Sequence, residues 1–315
     1  MIAIELARAV AFVLCVCAVY LFAAWGIVRW FLERRLACAP LGKKGRVARR
    51  VAFVFAVLGT LCILYGRFIE PYWLEVTHVV IESEKLPPGS GPVRLVHISD
   101  LHCDPAPRLE ERLAVVAAEL KPDAILYTGD SVNSPAGLPV FRQCVKSLAR
   151  VAPSFGVRGN WDTRTWRNLD LFSGTGFREL VGESVVLDLR GVKLWIGGAA
   201  VDDTDGEARA LLGIPPDRFS IFLHHFPDKV VESAWAGVDL HLAGHTHGGQ
   251  IALPFYGALM TLSKFGKRFE SGLGRYESTW IHVNRGVGME GGAVPRVRFC
   301  ARPELTLIEL RPARK

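Results

Sequence analysis

The chain has 315 residues, half of them hydrophobic, with 38 Lys and Arg against 31 Asp and Glu and a mean hydropathy of +0.23. This composition excludes a disordered or collagen-like protein, and the length suffices for one large domain or two smaller ones to bury a core without disulfides or a structural metal. The formal charge of +7 lies wholly in residues 1–70, which hold 10 basic and 3 acidic side chains; the remaining 245 hold 28 of each, which removes most of the support for a nucleic-acid partner.

Between Arg8 and Arg29 lie 20 uncharged, mostly apolar residues, enough for a helix of about 30 Å and hence for one membrane crossing. A cleaved signal peptide is the alternative, but the run is longer than a typical signal core and a second apolar segment follows. That segment, Val51 to Gly66, is 16 residues long. It crosses if Arg67 snorkels and Tyr72 and Trp73 sit at the interface; otherwise it lies in the membrane without crossing. The stretch Glu33 to Arg50 carries seven basic residues and one acid. If both segments cross, the positive-inside rule puts this loop in the cytoplasm and the rest of the chain on the far side. If only one crosses, the large domain returns to the cytoplasm and the loop can bind anionic headgroups. Residues 1–70 thus read as an integral membrane anchor with two apolar segments and a basic loop. The seven cysteines fit no CxxC metal site and read as free thiols.

Residues 71–91 read as a linker, in which the short β-like run HVVIES (78–83) leads into the Pro/Gly-rich EKLPPGSGP (84–92), and 92–315 read as an α/β domain. Strand-like runs are VRLVHIS (93–99), AILYTG (124–129), SFGVRG, KLWIGGAAV, SIFLHHF, VDLHLAG, WIHVNRG and ELTLIEL, with helices near Leu109 to Leu120 and Leu138 to Val151.

Polar residues collect where those strands end. Asp100 and His102 follow the first as SDLH, Asp130 the second as TGD, and Asn160 the third as GNWD. His224 and His225 end SIFLHH, and His245 and His247 follow VDLHLAG as GHTH. In α/β folds ligands bind beyond the carboxyl ends of strands, so residues distant in sequence converge there. Any one of these is unremarkable as a turn residue; together they are hard to explain that way. Oxygen and imidazole donors without thiolate suit Mn, Fe, Zn, Co or Ni. DxH and HxH in extended backbone aim two ligands into one site. A carboxylate can bridge two ions, which activate water and clamp a phosphoryl group. The residues therefore predict a dinuclear hydrolase.

DLH, GDSVN, GNWD, HFPD and AGHTHGGQI, in this order, resemble the motif set of the calcineurin-like metallophosphoesterases over about residues 90–312. GHTHGGQIALP and the closing RPELTLIEL are similar to a membrane-associated bacterial branch, some members of which are UDP-2,3-diacylglucosamine pyrophosphatases. The resemblance implies a four-layer αββα sandwich with its site at one end. It also implies two divalent ions, Mn, Fe or Zn. Asp100, His102 and His247 would hold the first, Asp130 would bridge, and Asn160, His245 and His225 would hold the second, with Asp130, Asn160 and His245 also serving catalysis. The HxPD pattern selects His225 over His224. The implied reaction is attack of a metal-bridging hydroxide on phosphorus in a phosphoester or pyrophosphate, with a lipid-linked substrate such as UDP-2,3-diacylglucosamine of lipid A biosynthesis; no protein partner is inferred. The alternatives are a phosphodiesterase or phosphatase of another substrate, and a membrane scaffold without activity. UDP-linked lipids are cytoplasmic while the charge rule places the domain outside, so one of those two expectations must give way.

The chain departs from the family at Trp161, where many members have the His of GNHD. An indole cannot transfer a proton at useful pH, so an already acidic leaving group is expected, unless His224 serves as donor. The run IALPFYGALMTLSKFG (251–266) reads either as strand and packed loop or as an apolar lip beside the metals. Arg285 in NRGVG and Arg302 in ARPE read in the same two ways, as packed structure or as phosphate contacts.

Overall fold

The computed structural model describes residues 2–36, 38–291 and 295–313. Met1 and Ala37 of the expected anchor and residues 292–294 and 314–315 of the expected domain lie outside these. Two long helices, α1 (Ile2–Arg35) and α2 (Lys43–Phe68), form an antiparallel hairpin. At 1.5 Å per residue they run about 50 and 40 Å, each enough to cross a bilayer. Their apolar windows are only 11% and 6% covered, so neither is the core helix of a soluble domain. Ala23, Ala52 and Ala56 let them approach, Tyr20 and Thr60 share a hydroxyl hydrogen bond of 2.9 Å, and Arg49 pairs with Glu33 at 3.2 Å. Val51 to Gly66 is therefore the inner part of a longer helix. The stretch from Glu33 to Arg50, expected as a loop, is mostly helical, with its basic residues clustered at the hairpin's turn.

Two six-stranded sheets follow. The first contains β1 (Glu75–Ser83), β2 (Val93–Ile98), β3 (Ala124–Tyr127), β4 (Ser154–Gly156), β5 (Phe177–Glu179) and the last strand, β14 (Glu304–Pro312), in the order β1-β14-β2-β3-β4-β5. The second is built from β6 (Glu183–Leu189), β7 (Val192–Gly198), β8 (Phe219–Leu223), β9 (Leu240–Ala243), β12 (Gly272–Tyr276) and β13 (Thr279–Val283), ordered β12-β13-β9-β8-β7-β6. A small hairpin, β10 (Ala252–Leu253) and β11 (Gly257–Ala258), stands apart from both. Residues 71–91, expected as a linker, thus contain a nine-residue strand of the domain: β1 pairs in parallel with β14 from Glu75 to Ser83. It extends the β-like run HVVIES back to Glu75 as an edge strand with one face partly in solvent.

The strand period of two divides the side chains between layers. Leu95, Leu126, Ile308 and Leu310 of the first sheet meet Ile196, Ile221, Leu223 and Leu240 of the second in one core. On the outer face of the first sheet, Val96, Ile125 and Tyr127 pack under α3 (Glu110–Glu119) and α4 (Leu138–Ala149) through Leu113, Phe141 and Val145. α5 (Thr204–Ala210) and α6 (Val230–Trp235) cover the second sheet, where Trp195 and Phe222 meet Ala210, and Val230 meets Ile281 and Val283. The result is the expected αββα sandwich. Between the sheets, His97 and His282 face each other with their Nδ1 atoms 3.0 Å apart.

The strand directions place the anchor. β2, β3 and β4 are parallel, whereas β14 is antiparallel to β2 and carries β1 with it. The start of β1, where α2 delivers the chain, therefore lies at the end of the sandwich where β2 and β3 finish.

Candidate metal centre

The residues just past β2, β3, β8 and β9 converge at that end. His225 Nε2 lies 3.2 Å from Asp130 Oδ2 and 3.9 Å from Asp100 Oδ1; His247 Nε2 lies 3.2 Å from Asp100 Oδ1, and His102 Nε2 3.6 Å from Asp130 Oδ2. Two triads of donors, Asp100–His102–His247 and Asp100–Asp130–His225, each lie within 4.8 Å. The His245 backbone N–H donates to Asp100 at 3.1 Å, and its ring meets that of His225 edge-on at 5.2 Å. Asn160 follows Gly159 against Asp130, whose Oδ1 accepts from the Trp161 N–H at 2.8 Å. Of the eight residues named from the strand ends, Asp100, His102, Asp130, His225 and His247 thus form the two triads, and His245 and Asn160 lie beside them. His224 does not join them: its Nδ1 accepts the Phe226 N–H at 3.0 Å, and its ring stacks on Phe222. That arrangement also leaves it badly placed to serve as the proton donor considered above.

The backbone is bent to achieve this convergence. Asp100, His102, Asp130, His245 and His247 all have positive φ, between 38° and 71°, a region that costs non-glycine residues of order 1 kcal/mol or more and collects at functional sites. Two glycines permit the close approach. A Cβ on Gly159 would sit 2.2 Å from Asp130 Oδ1, and one on Gly244 would sit 2.1 Å from Asp100 Oδ2.

Divalent cations fit these residues. His102 Nδ1 and Nε2, His225 Nε2 and Asn160 Oδ1 are buried without a hydrogen-bond partner, a costly state that a cation would relieve. The field attracts positive charge. Burial would raise Asp100, but the imidazoles of His247, His225 and His102 hold it well below the usual carboxylate range. Burial would lower His225, but Asp130 and Asp100 raise it to about 9. His102 and His245, where burial dominates, fall to about 4 and about 3, so both are neutral and free to donate a lone pair near neutral pH.

Several supporting residues escaped the sequence reading. Asp162 is buried and accepts from the N–H groups of Gly159, Asp130 and Ser131, each at 2.9 Å, binding two ligand loops together; the GNWD motif contained it without revealing this role. Arg298, fully buried, donates to the carbonyls of Gly288, Ala301, Arg285 and Gly286, and its Nη2 reaches within 3.4 Å of His247 Nδ1. Nothing local in the sequence marks it. Arg285 is held by Glu304 and Glu75, and Arg302 lies over Trp73 while donating to the carbonyls of Trp73 and Leu74. Both arginines therefore lock the entry of β1 in place.

Comparison with known proteins agrees with this geometry. Residues 93–249 match the family model of the calcineurin-like phosphoesterases. The chain is 35% identical over 262 residues to the uncharacterized metallophosphoesterase YkuE of Bacillus subtilis, covering 78% of this chain and 89% of that protein. It is 28% identical to a bovine transmembrane protein with metallophosphoesterase domain, covering 92% of this chain and 68% of the relative. More distantly, it is 24% identical to the UDP-2,3-diacylglucosamine pyrophosphatase LpxG of Chlamydia trachomatis, covering 78% and 92%. The chain belongs to the calcineurin-like metallophosphoesterase family and carries the divalent-metal site of a phosphoesterase hydrolase.

Proposed function

We propose that this phosphohydrolase works at the membrane surface on a lipid-linked substrate, cleaving a phosphodiester or pyrophosphate bond. The observation that carries the reading is topological: α2 enters the domain at the same end of the sandwich as the site. Its Gly66 carbonyl accepts the Arg298 N–H at 2.9 Å, and the Glu70 carboxylate accepts the N–H groups of Cys300 and Ala301. Arg298 itself reaches His247. A site facing the bilayer from so short a distance suits a substrate that stays in the bilayer.

In this reading Asp100, His102 and His247 would hold one cation and Asn160, His225 and His245 the other, with Asp130 available to both. In support, the Asp130 carboxylate lies between His102 and His225. The bound ions would supply an activated water and charge stabilisation at phosphorus. The protein holds the imidazoles in place: His225 Nδ1 lies 2.8 Å from the Thr128 carbonyl, which fixes the ring so that Nε2 faces the carboxylates. Trp161 walls the site beside His102, their rings edge-on at 5.4 Å.

UDP-2,3-diacylglucosamine, the compound in the chlamydial relative's name, is the pyrophosphate member of this class to test. With both helices crossing, the basic turn would be cytoplasmic and the domain outside, on a bacterial inner membrane; UDP-2,3-diacylglucosamine then serves as a probe of the bond class and not as the native substrate. The full-length protein should be assayed in detergent with Mn²⁺ on UDP-2,3-diacylglucosamine, an alkyl phosphomonoester and bis-p-nitrophenyl phosphate. Turnover of the lipid pyrophosphate well above the other two, lost on chelation and restored by metal, is expected. Turnover of the soluble diester alone would remove the lipid-linked substrate while leaving the phosphoesterase intact. Protease accessibility in spheroplasts fixes the side.

A further inference from the structure

We infer that the hairpin β10–β11 and the loop after it form a lip that inserts into the surface of the bilayer holding α1 and α2. The inference rests on the membrane reading above and adds an attachment that the helices alone do not provide.

The lip starts directly after the GHTHGGQ turn that carries His245 and His247. A Cβ on Gly249 would lie 2.5 Å from the Ala258 side chain, so the hairpin base is pressed against that turn. Both anchor helices end at this lip. Glu5, in the first turn of α1 and almost fully buried, accepts from the Thr261 N–H at 3.0 Å and from its hydroxyl at 2.9 Å. The Ala252 N–H donates to the Phe299 carbonyl, and the Phe299 ring meets Tyr65 of α2 edge-on. The hairpin is therefore level with the domain-side ends of both helices, where the membrane boundary falls.

Its tip is shaped for such a surface. Phe255 is fully exposed and has a φ of 63°, a strained conformation for an aromatic residue that holds the ring away from the domain. Tyr256 and Leu262 are also exposed. Exposed aromatic side chains of this kind suit the membrane interface. Lys267 lies 3.5 Å from the Tyr256 ring centre, and Lys264 and Arg268 are exposed beside it, a rim that favours anionic headgroups. The occupant of the lip is thus the same bilayer. The lip would keep the mouth of the site against the headgroups, where an amphiphilic phosphoester reaches the metals without leaving the membrane.

The test uses full-length protein in anionic phospholipid nanodiscs, with the exposed cysteines and Cys38 changed to serine and one spin label placed by Phe255→Cys, Leu61→Cys or Trp235→Cys. Leu61 lies in α2; Trp235, 77% exposed, precedes β9 at the opposite end of the strands. Relaxation by oxygen against a water-soluble nickel chelate reads depth. The label at 255 should be oxygen-accessible like that at 61, and the label at 235 chelate-accessible. A label at 255 that behaves like the one at 235 overturns the lip. A label at 61 exposed to the chelate overturns the membrane reading beneath it. None of these readouts needs a substrate, so they stand apart from the lipid-substrate assay. A second measurement needs no label: F255S/Y256S should raise KM for a vesicle-embedded phosphoester about tenfold more than for bis-p-nitrophenyl phosphate, and equal effects on both would overturn the lip.

Discussion

Trp161 turns its indole toward Glu290 and donates from Nε1 to a carboxylate oxygen at 3.4 Å. The indole has one donor and no proton to surrender at neutral pH, so it can orient but cannot protonate a leaving oxygen. Burial raises the Glu290 carboxyl, against the lowering influence of His247 and of Trp161 itself. Trp161→His should therefore raise turnover of an alkyl phosphomonoester about tenfold relative to a pyrophosphate, since a positioned general acid contributes about that much or more. An unchanged ratio would show that leaving-group acidity is not what the tryptophan selects.

Asp162 serves three backbone donors from two ligand loops. Burial and the neighbouring Asp130 charge push its carboxyl up to about 6, against the Ser131 and Gly159 N–H groups that favour the ionised form. Asp162→Ala leaves those donors buried and unpaired, at roughly 1–3 kcal/mol for each donor left unpaired. Urea denaturation should show a loss of several kcal/mol, about 3 or more. A loss below about 1 kcal/mol would mean that water replaces the carboxylate.

Glu70 ties the end of α2 to the segment that places Arg298 behind His247. Glu70→Gln can accept one N–H but presents its own NH₂ to the other. Loss of a group that supports a metal ligand typically costs about 10–100-fold in metal affinity. Calorimetric titration with Mn²⁺ should show a drop of about tenfold. A lower melting temperature with unchanged metal affinity would confine Glu70 to holding the anchor.

The contact between the His97 and His282 Nδ1 atoms needs one ring to donate and the other to accept, so at least one of the two is neutral. Burial lowers both, His282 to about 4 and His97 well below its ordinary value, with His282 adding to the effect on His97. Folded-state values below the ordinary ~6.5 mean that the unfolded chain takes up more protons as pH falls. The stability they support is present above about pH 6.5 and declines toward pH 4, by up to ~1.4 kcal/mol per pH unit for each histidine. His282→Gln should flatten the decline in urea-denaturation midpoints over that window; an equal slope would place the acid sensitivity elsewhere.

What the sequence determined was whatever is local. The apolar runs specify helices because a stretch without charge is long enough to span a bilayer wherever it occurs. Asp100, Asp130, Asn160, His225, His245 and His247 could be named because each follows its own strand within a few residues, and parallel strands bring such positions to one end. The choice of His225 over His224 was legible from the HFPD pattern, and the ring orientations give its physical basis: one imidazole faces two carboxylates and the other a phenylalanine.

The tertiary structure alone decided what depends on distant pairing. β1 joins the domain because β14, more than 220 residues later, accepts it in parallel, and that register turns the anchor toward the metals. Glu5 meets Thr261, and Arg298 meets His247, across separations that leave no periodicity or spacing to read. The +7 charge at the N-terminus marked a basic turn between two apolar helices. That this helix pair ends beside the site, with Glu5 bound to Thr261, follows only from how the two sheets close.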